Sequence, residues 1–224
     1  MRYFSISSTH DLGIIGKYPQ TMLRQGYDPT SKNSSRNLKY SEFPDFLPEL
    51  ELEIDANAVP TNFLERAEAT FGIIVDTDFR EILEQFTLPH HHFYPIKVYH
   101  KGNLLKYFWL HFIVKDIWKS IDIEQSLVRI QNSSNANNRV VLPIFQKEYL
   151  EKLYDYFMVS YEFKLLPEKI VFNDKFENLD LVNLDFLHDT PLISVKLKNA
   201  LEEGKMNGFE TKLFKPLNAT KYTD

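Results

Sequence analysis

Cysteine is absent from the 224 residues, so no disulfide framework can staple this chain, and a zinc site would have to be built from histidine and carboxylate alone. Glycine is scarce: seven residues, scattered singly. No phosphate-cradling GxxxxGKS/T or GxGxxG stretch occurs, and no GxSxG nucleophile turn. Basic charge is also short, with 26 Lys and Arg against 31 Asp and Glu and a net charge of −5. That argues against a general nucleic-acid binder, which needs a basic face to displace phosphate counter-ions. Long apolar runs are missing too. Residues 107–110 and 112–114, split by His111, fall far short of the roughly 20 residues that cross a bilayer. The opening MRYFSISSTHDLG has no apolar stretch of the signal-peptide kind. Together these absences predict a cytoplasmic protein with no nucleic-acid partner, no membrane partner and no cofactor.

What the chain does have is aromatic bulk. Eighteen Phe and twelve Tyr, within a composition that is 43% hydrophobic, can fill a substantial core. Residues 74–115 are the densest part. There Phe79, Ile82, Leu83 and Phe86 recur at i, i+3, i+4 and i+7, one stripe of a helix. Asp76 is placed to cap it, Asp78 suits its positive end, and Pro89 stops it. Residues 94–99 and 107–114 look extended, with Gly102 and Asn103 as turn chemistry between them. Further strands are expected at 2–7, 49–55, 169–172 and 209–213. Helices are expected over 61–71, over 147–157 and from Ser194 to Gly204. Stretches 28–41 and 131–139 are polar turn-formers, predicted as loops, the first of them mobile.

The pattern is that of an α+β chain with mixed or antiparallel sheets and amphipathic helices packed on them. It is expected to form a single domain over 1–224, with sub-units at about 1–130 and 140–224 on either side of the 131–139 loop. Two stretches look alike. Ile74-Val75-Asp76 matches Leu192-Ile193-Ser194, and Phe79, Ile82, Leu83 and Glu84 match Leu197, Ala200, Leu201 and Glu202. Either the chain is duplicated as strand-helix-strand units, or a common capped-helix pattern is used twice.

Two clusters bear on chemistry. Five of the seven histidines lie between His90 and His111. Consecutive side chains on extended backbone point to opposite faces, no carboxylate interleaves the run, and no HxxxH spacing occurs, so His90–His92 is read as a polar turn and no metal site is predicted. No complete catalytic constellation is present, and no catalytic residue is assigned. The second cluster is ELELEID at 49–55, where Leu50, Leu52 and Ile54 alternate with Glu49, Glu51, Glu53 and Asp55. No Lys or Arg occurs between Lys39 and Arg66, and Asp45 extends the acidic run. The bland reading is an edge strand kept charged against aggregation. The functional one is a docking face, Asp45, Glu49, Glu51, Glu53 and Asp55, for a basic protein partner.

Several stretches also carry a family likeness. These are Pro60-Thr61-Asn62-Phe63-Leu64, Ile74-Val75-Asp76, Phe93-Tyr94-Pro95-Ile96-Lys97-Val98, Tyr107-Phe108-Trp109-Leu110-His111, Ile121-Asp122 with Ser126, Leu192-Ile193-Ser194-Val195-Lys196-Leu197-Lys198, and Gly208-Phe209-Glu210. In these the chain resembles the eleventh named bacterial immunity family, first catalogued as a domain of unknown function and encoded beside polymorphic toxins. That family commonly has Ser where this chain has Asp76 and Asp where it has Asn62. Residues 8–40 and 130–165 lie outside the likeness. The resemblance implies a non-enzymatic protein that binds and neutralises a cognate toxin in the producing cell. The rival readings are a His-ligated metal-dependent hydrolase and a binding or scaffold module unrelated to toxins. Oligomeric state is left open.

Overall fold

The computed structural model describes residues 2–67, 69, 71–113 and 117–217. The first elements are β1 (Tyr3–Ser8), α1 (Leu12–Ile15), β2 (Thr21–Leu23), β3 (Glu51–Ile54), β4 (Phe63–Leu64), β5 (Ile73–Asp76), α2 (Thr77–Leu83), β6 (His90–His100) and β7 (Asn103–Ile113). There follow α3 (Ile117–Ser120), β8 (Leu127–Asn132), β9 (Arg139–Pro143), α4 (Lys147–Ser160), β10 (Phe163–Lys169), β11 (Leu181–Val182), β12 (Leu192–Ser194), α5 (Val195–Glu203) and β13 (Phe209–Leu213). Three sheets run in the orders β2-β3-β6-β7-β5-β4, β10-β8-β9 and β11-β12-β1-β13. β3 and β6 pair in parallel and their neighbours antiparallel, so this is an α+β fold with mixed and antiparallel sheets, as the residue patterns predict. Backbone contacts divide the chain into two compact units, one of residues 6–115 with 196–211, the other of 1–5, 116–195 and 212–224.

The first of these holds the six-stranded sheet. At its centre β6 and β7 pair from His90↔Ile113 to His100↔Asn103. Lys101 and Gly102 form the link, with φ of 51° and 81°. Two positive φ angles make a tight turn whose twist matches the strands, and glycine takes the second without strain. The turn thus falls one residue earlier than Gly102-Asn103. Tyr94, Ile96, Val98, Tyr107 and Trp109 point to one face and join Leu50, Leu52, Ile54 and Ile74 in a single buried cluster. α2 contacts β5 and β7, and its Arg80 guanidinium lies over Phe93 and Phe108 on the opposite face. Asp76 caps α2 by accepting the Phe79 N–H at 3.0 Å. The helix ends at Leu83 because Gln85 and Phe86 bond back three residues, to Ile82 and Leu83, in a tightening turn. Phe79 and Leu83 are therefore fully buried, while Ile82 and Phe86 are half-buried.

The helix expected over 61–71 does not form. Phe63 and Leu64 pair with Val75 and Ile74 as β4. The Phe63 N–H bonds the Asn207 carbonyl, and Ala67 has φ 48°. Both Phe63 and Leu64 are buried, one on each face of the strand. Residues 68 and 70 of that stretch lie outside the described residues. Stretch 28–41 is pinned rather than loose: Ser34 and Ser35 are buried, and Asn33 and Ser35 exchange backbone bonds with Glu49.

In the other unit α4 packs on β10, with Phe157 against Phe163 and with Leu150 and Phe157 buried. Val128 and Leu165 fill that sheet's interior. Residues 133–138 link β8 to β9 within the loop expected at 131–139. The strand expected at 169–172 lies earlier, with Pro167 inside β10, where the register shifts between Pro167 and Lys169.

Candidate functional site

Leu50, Leu52 and Ile54 are at most 2% exposed, so the carboxylates between them do face outward. Two features of that face differ from expectation. First, β3 is an interior strand, flanked by β2 and β6, so edge protection does not explain its charge. Second, neighbouring strands bring cations to it. The Lys97 ammonium lies opposite in register and bonds Glu51 at 2.7 Å. Arg24, just past β2, stacks 3.3 Å over the Tyr99 ring and stands 3.8 Å from both Glu51 and Glu53. Lys17 bonds Asp55 at 2.5 Å. That bond and the Asn57 N–H hold the Asp55 carboxyl below its ordinary range, while the bond to Glu51 raises the Lys97 ammonium. Asp45 and Glu49 are exposed and have no ion-pair partner among the described residues. The five candidate carboxylates thus fall into three within 3.8 Å of a cation and two outside ion-pair distance, of which Glu49 still shares the charge of Lys97.

The histidine run is strand, not turn: it opens β6 because His90, His91 and His92 pair with Ile113, Phe112 and His111. Side chains alternate as expected. His91 turns one way, its Nδ1 2.7 Å from the Pro89 carbonyl oxygen. His90, His92 and His111 turn the other way, their rings 4.7, 4.3 and 4.8 Å from Phe43. His111 is fully buried, and that burial pushes its pKa down. A phenyl ring occupies the centre of this trio, and among the described residues no group of three or more His, Asp or Glu is placed to hold a metal ion.

A cleft of about 300 Å³ opens beside the α2 cap, lined by Asn62, Asp76, Lys106, Tyr107 and Asn207 among others. Its polar groups mostly serve one another. Asn62 and Asn207 each give a backbone N–H to the other's side-chain oxygen, and the Asn62 amide donates to Asp76 at 2.8 Å. Burial raises the Asp76 pKa against those bonds.

The surface that sequence reasoning missed is on α4. The helix expected over 147–157 brings Tyr149, Leu150, Leu153, Tyr154 and Phe157 to one broad apolar face, but Tyr149 is 66% exposed. Tyr156, Val159 and Tyr161 are 65%, 80% and 78% exposed, and Phe145 just upstream 68%. These open side chains all fall within residues 145–161. No helix among the described residues is long and apolar enough to cross a membrane.

Comparison with curated proteins finds no match. The sequence model of the Immunity protein family (Imm11) matches residues 2–215. With nearly the whole length covered, the chain belongs to the immunity protein family Imm11.

Proposed function

We propose that this protein neutralises a cognate polymorphic toxin by stoichiometric binding in the cytoplasm of the cell that makes the toxin. Family membership over residues 2–215 carries the reading. The chemistry of the chain is consistent with it: no cysteine, no nucleophile turn and no phosphate cradle occur in the sequence.

Docking to a basic toxin surface uses the acidic residues Asp45, Glu49, Glu51, Glu53 and Asp55, in unequal shares. Glu51, Glu53 and Asp55 already have cations within 3.8 Å, so a partner's lysine or arginine must compete with Lys97, Arg24 or Lys17. Asp45, and Glu49 as far as Lys97 leaves it, keep their field and do most of the steering. The open aromatics of α4, in the other unit, offer apolar contact area of their own, since exposed tyrosines desolvate well in an interface.

The test is co-expression with the toxin domain encoded beside the gene, scored by rescue of growth, then surface plasmon resonance of the purified pair. Charge reversal at Asp45 and Glu49 should slow association more than reversal at Glu51 and Glu53. The difference should vanish near 1 M salt, where the Debye length is about 3 Å. Tyr149→Ala with Tyr156→Ala should mainly speed dissociation. A neighbour whose toxicity the protein does not relieve would remove the reading. Rescue with both sets of variants binding like the parent would keep the function and move the surface.

A further inference from the structure

The likeness between the strands and helices at 73–83 and 192–203 extends to long-range contacts at a constant spacing of 118. Strand pairs Phe63↔Val75 and Leu64↔Ile74 have counterparts in Leu181↔Ile193 and Val182↔Leu192. The backbone bond from Asp76 N–H to the Asn62 carbonyl, 2.9 Å, has its counterpart from Ser194 N–H to the Asp180 carbonyl, 2.9 Å. The side chains of the same two pairs bond as well, Asn62 to Asp76 at 2.8 Å and Ser194 to Asp180 at 2.6 Å. Phe79 and Leu83 are buried, and so are Leu197 and Leu201. A common capped-helix pattern used twice explains the helices. It does not explain the same partner strand, in the same register, fourteen residues upstream of each cap.

The next strand breaks the chain order. In the first copy β7 pairs beside the cap, Asp76↔Tyr107 and Val75↔Phe108. In the second copy the place is taken from the far end of the chain, Ser194↔Tyr3 and Ile193↔Phe4. The tyrosines do the same work. Tyr107 donates its hydroxyl to the Thr61 carbonyl at 2.7 Å, and Tyr3 donates to the Leu179 carbonyl at 2.5 Å, the two accepting residues again 118 apart. Sheet order agrees: β4-β5-β7-β6 in one, β11-β12-β1-β13 in the other, with β6 and β13 each following its helix. The carboxy-terminal copy has every strand but one, and β1 is that one.

We propose that the chain is an internal duplication whose second copy is closed by the amino-terminal strand, so that residues 2–5 occupy a built binding site for an extended segment. The site has two rails. On one side the strand pairing to residues 192–194 is extended by the bond from Val195 N–H to the Arg2 carbonyl. On the other, Phe214 N–H bonds the Tyr3 carbonyl and the Ser5 hydroxyl bonds the Lys212 carbonyl. The specific element is Tyr3, 1% exposed, with its hydroxyl on Leu179. Backbone ladders supply affinity for an added strand, and a pocketed side chain supplies selectivity. The same strand offered on a separate peptide is what this site recognises.

A protease site inserted between His10 and Asp11, both exposed, allows the full-length folded protein to be cut behind the strand. The cut peptide should co-elute with the body on size exclusion and exchange with labelled peptide 1–10. A Tyr3→Phe peptide should be captured about five- to tenfold more weakly, the loss expected for one buried hydrogen bond. If the peptide instead leaves on cutting, amide protection at 181–182 and 192–194 should fall with it. Loss of the peptide with that protection unchanged, or equal capture of a scrambled peptide, would overturn the proposal.

Discussion

Leu83→Ala probes whether the α2 stripe belongs to the core of its unit, and the structure sets the size of the effect. Leu83 is 1% exposed, so the three carbons removed all come from the interior. At about 0.8 kcal/mol each the transfer part is roughly 2.4 kcal/mol. The cavity left behind adds to this, toward about 5 kcal/mol where the walls cannot collapse. One turn back on the same face, Phe79 lies 5.7 Å from both Phe63 and Phe209, a set of edge-on rings with little freedom to close a gap. A loss of about 3–4 kcal/mol is therefore expected. The two tryptophans fall in different units, Trp109 in that of α2 and Trp118 in the other. In a Trp118→Phe background, guanidinium unfolding followed by Trp109 fluorescence reports the right unit alone. With a slope of about 4 kcal/mol/M the midpoint should drop by about 0.75–1 M. Lys97→Ala, an exposed position, is the control and should leave the midpoint in place. A Leu83→Ala midpoint equal to the control at the same slope would show that α2 does not anchor this core.

Other outcomes follow from single features. Burial holds the His111 pKa below its ordinary 6.5, so the folded state binds this proton less readily than the unfolded one. Its contribution to stability is complete above that value and is lost as pH falls through it toward the depressed folded one. His111→Phe should flatten that acid limb in Trp109-detected melts, and an unchanged limb would assign it elsewhere. Gly208 has φ +87°, and a Cβ there would strike the Phe63 carbonyl and the Thr61 side chain, whereas Gly26, φ +89°, has nothing within 4 Å. Gly26→Ala should cost on the order of 1 kcal/mol from backbone strain alone and Gly208→Ala clearly more, so equal melting temperatures would contradict the close approach.

Local physics made much of the fold legible. The strict alternation of Leu50, Leu52 and Ile54, the Asp76 cap and the β6–β7 hairpin each depend on neighbours within a few residues, and each stands. The 61–71 stretch failed because two adjacent apolar residues fit either element. The choice was made by Val75, Ile74 and the Asn207 carbonyl, which no local pattern contains. The duplication was half visible for the same reason. Its helices share side-chain types, but Asn62-Phe63-Leu64 and Asp180-Leu181-Val182 have no identical residue at matching positions and are related by register and by the bonds to their caps. The strand that completes the second copy enters from the opposite end of the chain.

The candidate site divides along the same line. Which carboxylates share a face follows from a two-residue period and could be read directly. Their charge balance could not, because Lys17, Arg24 and Lys97 reach them from other elements, two of them through strand pairings with β3. An acidic run without nearby basic residues in sequence is thus no measure of its field. The α4 face escaped for a different reason. Tyr149 and Leu150 are consecutive, about 100° apart around the helix, and a stripe wide enough to include both cannot say which one meets β10. Leu150 is the one buried, and Tyr149 is left in water. An exposed tyrosine costs little by itself. Tyr149, Tyr156 and Tyr161, with Val159 and Phe145, leave apolar area wet that a partner covering it would desolvate favourably, which is the role proposed for this face.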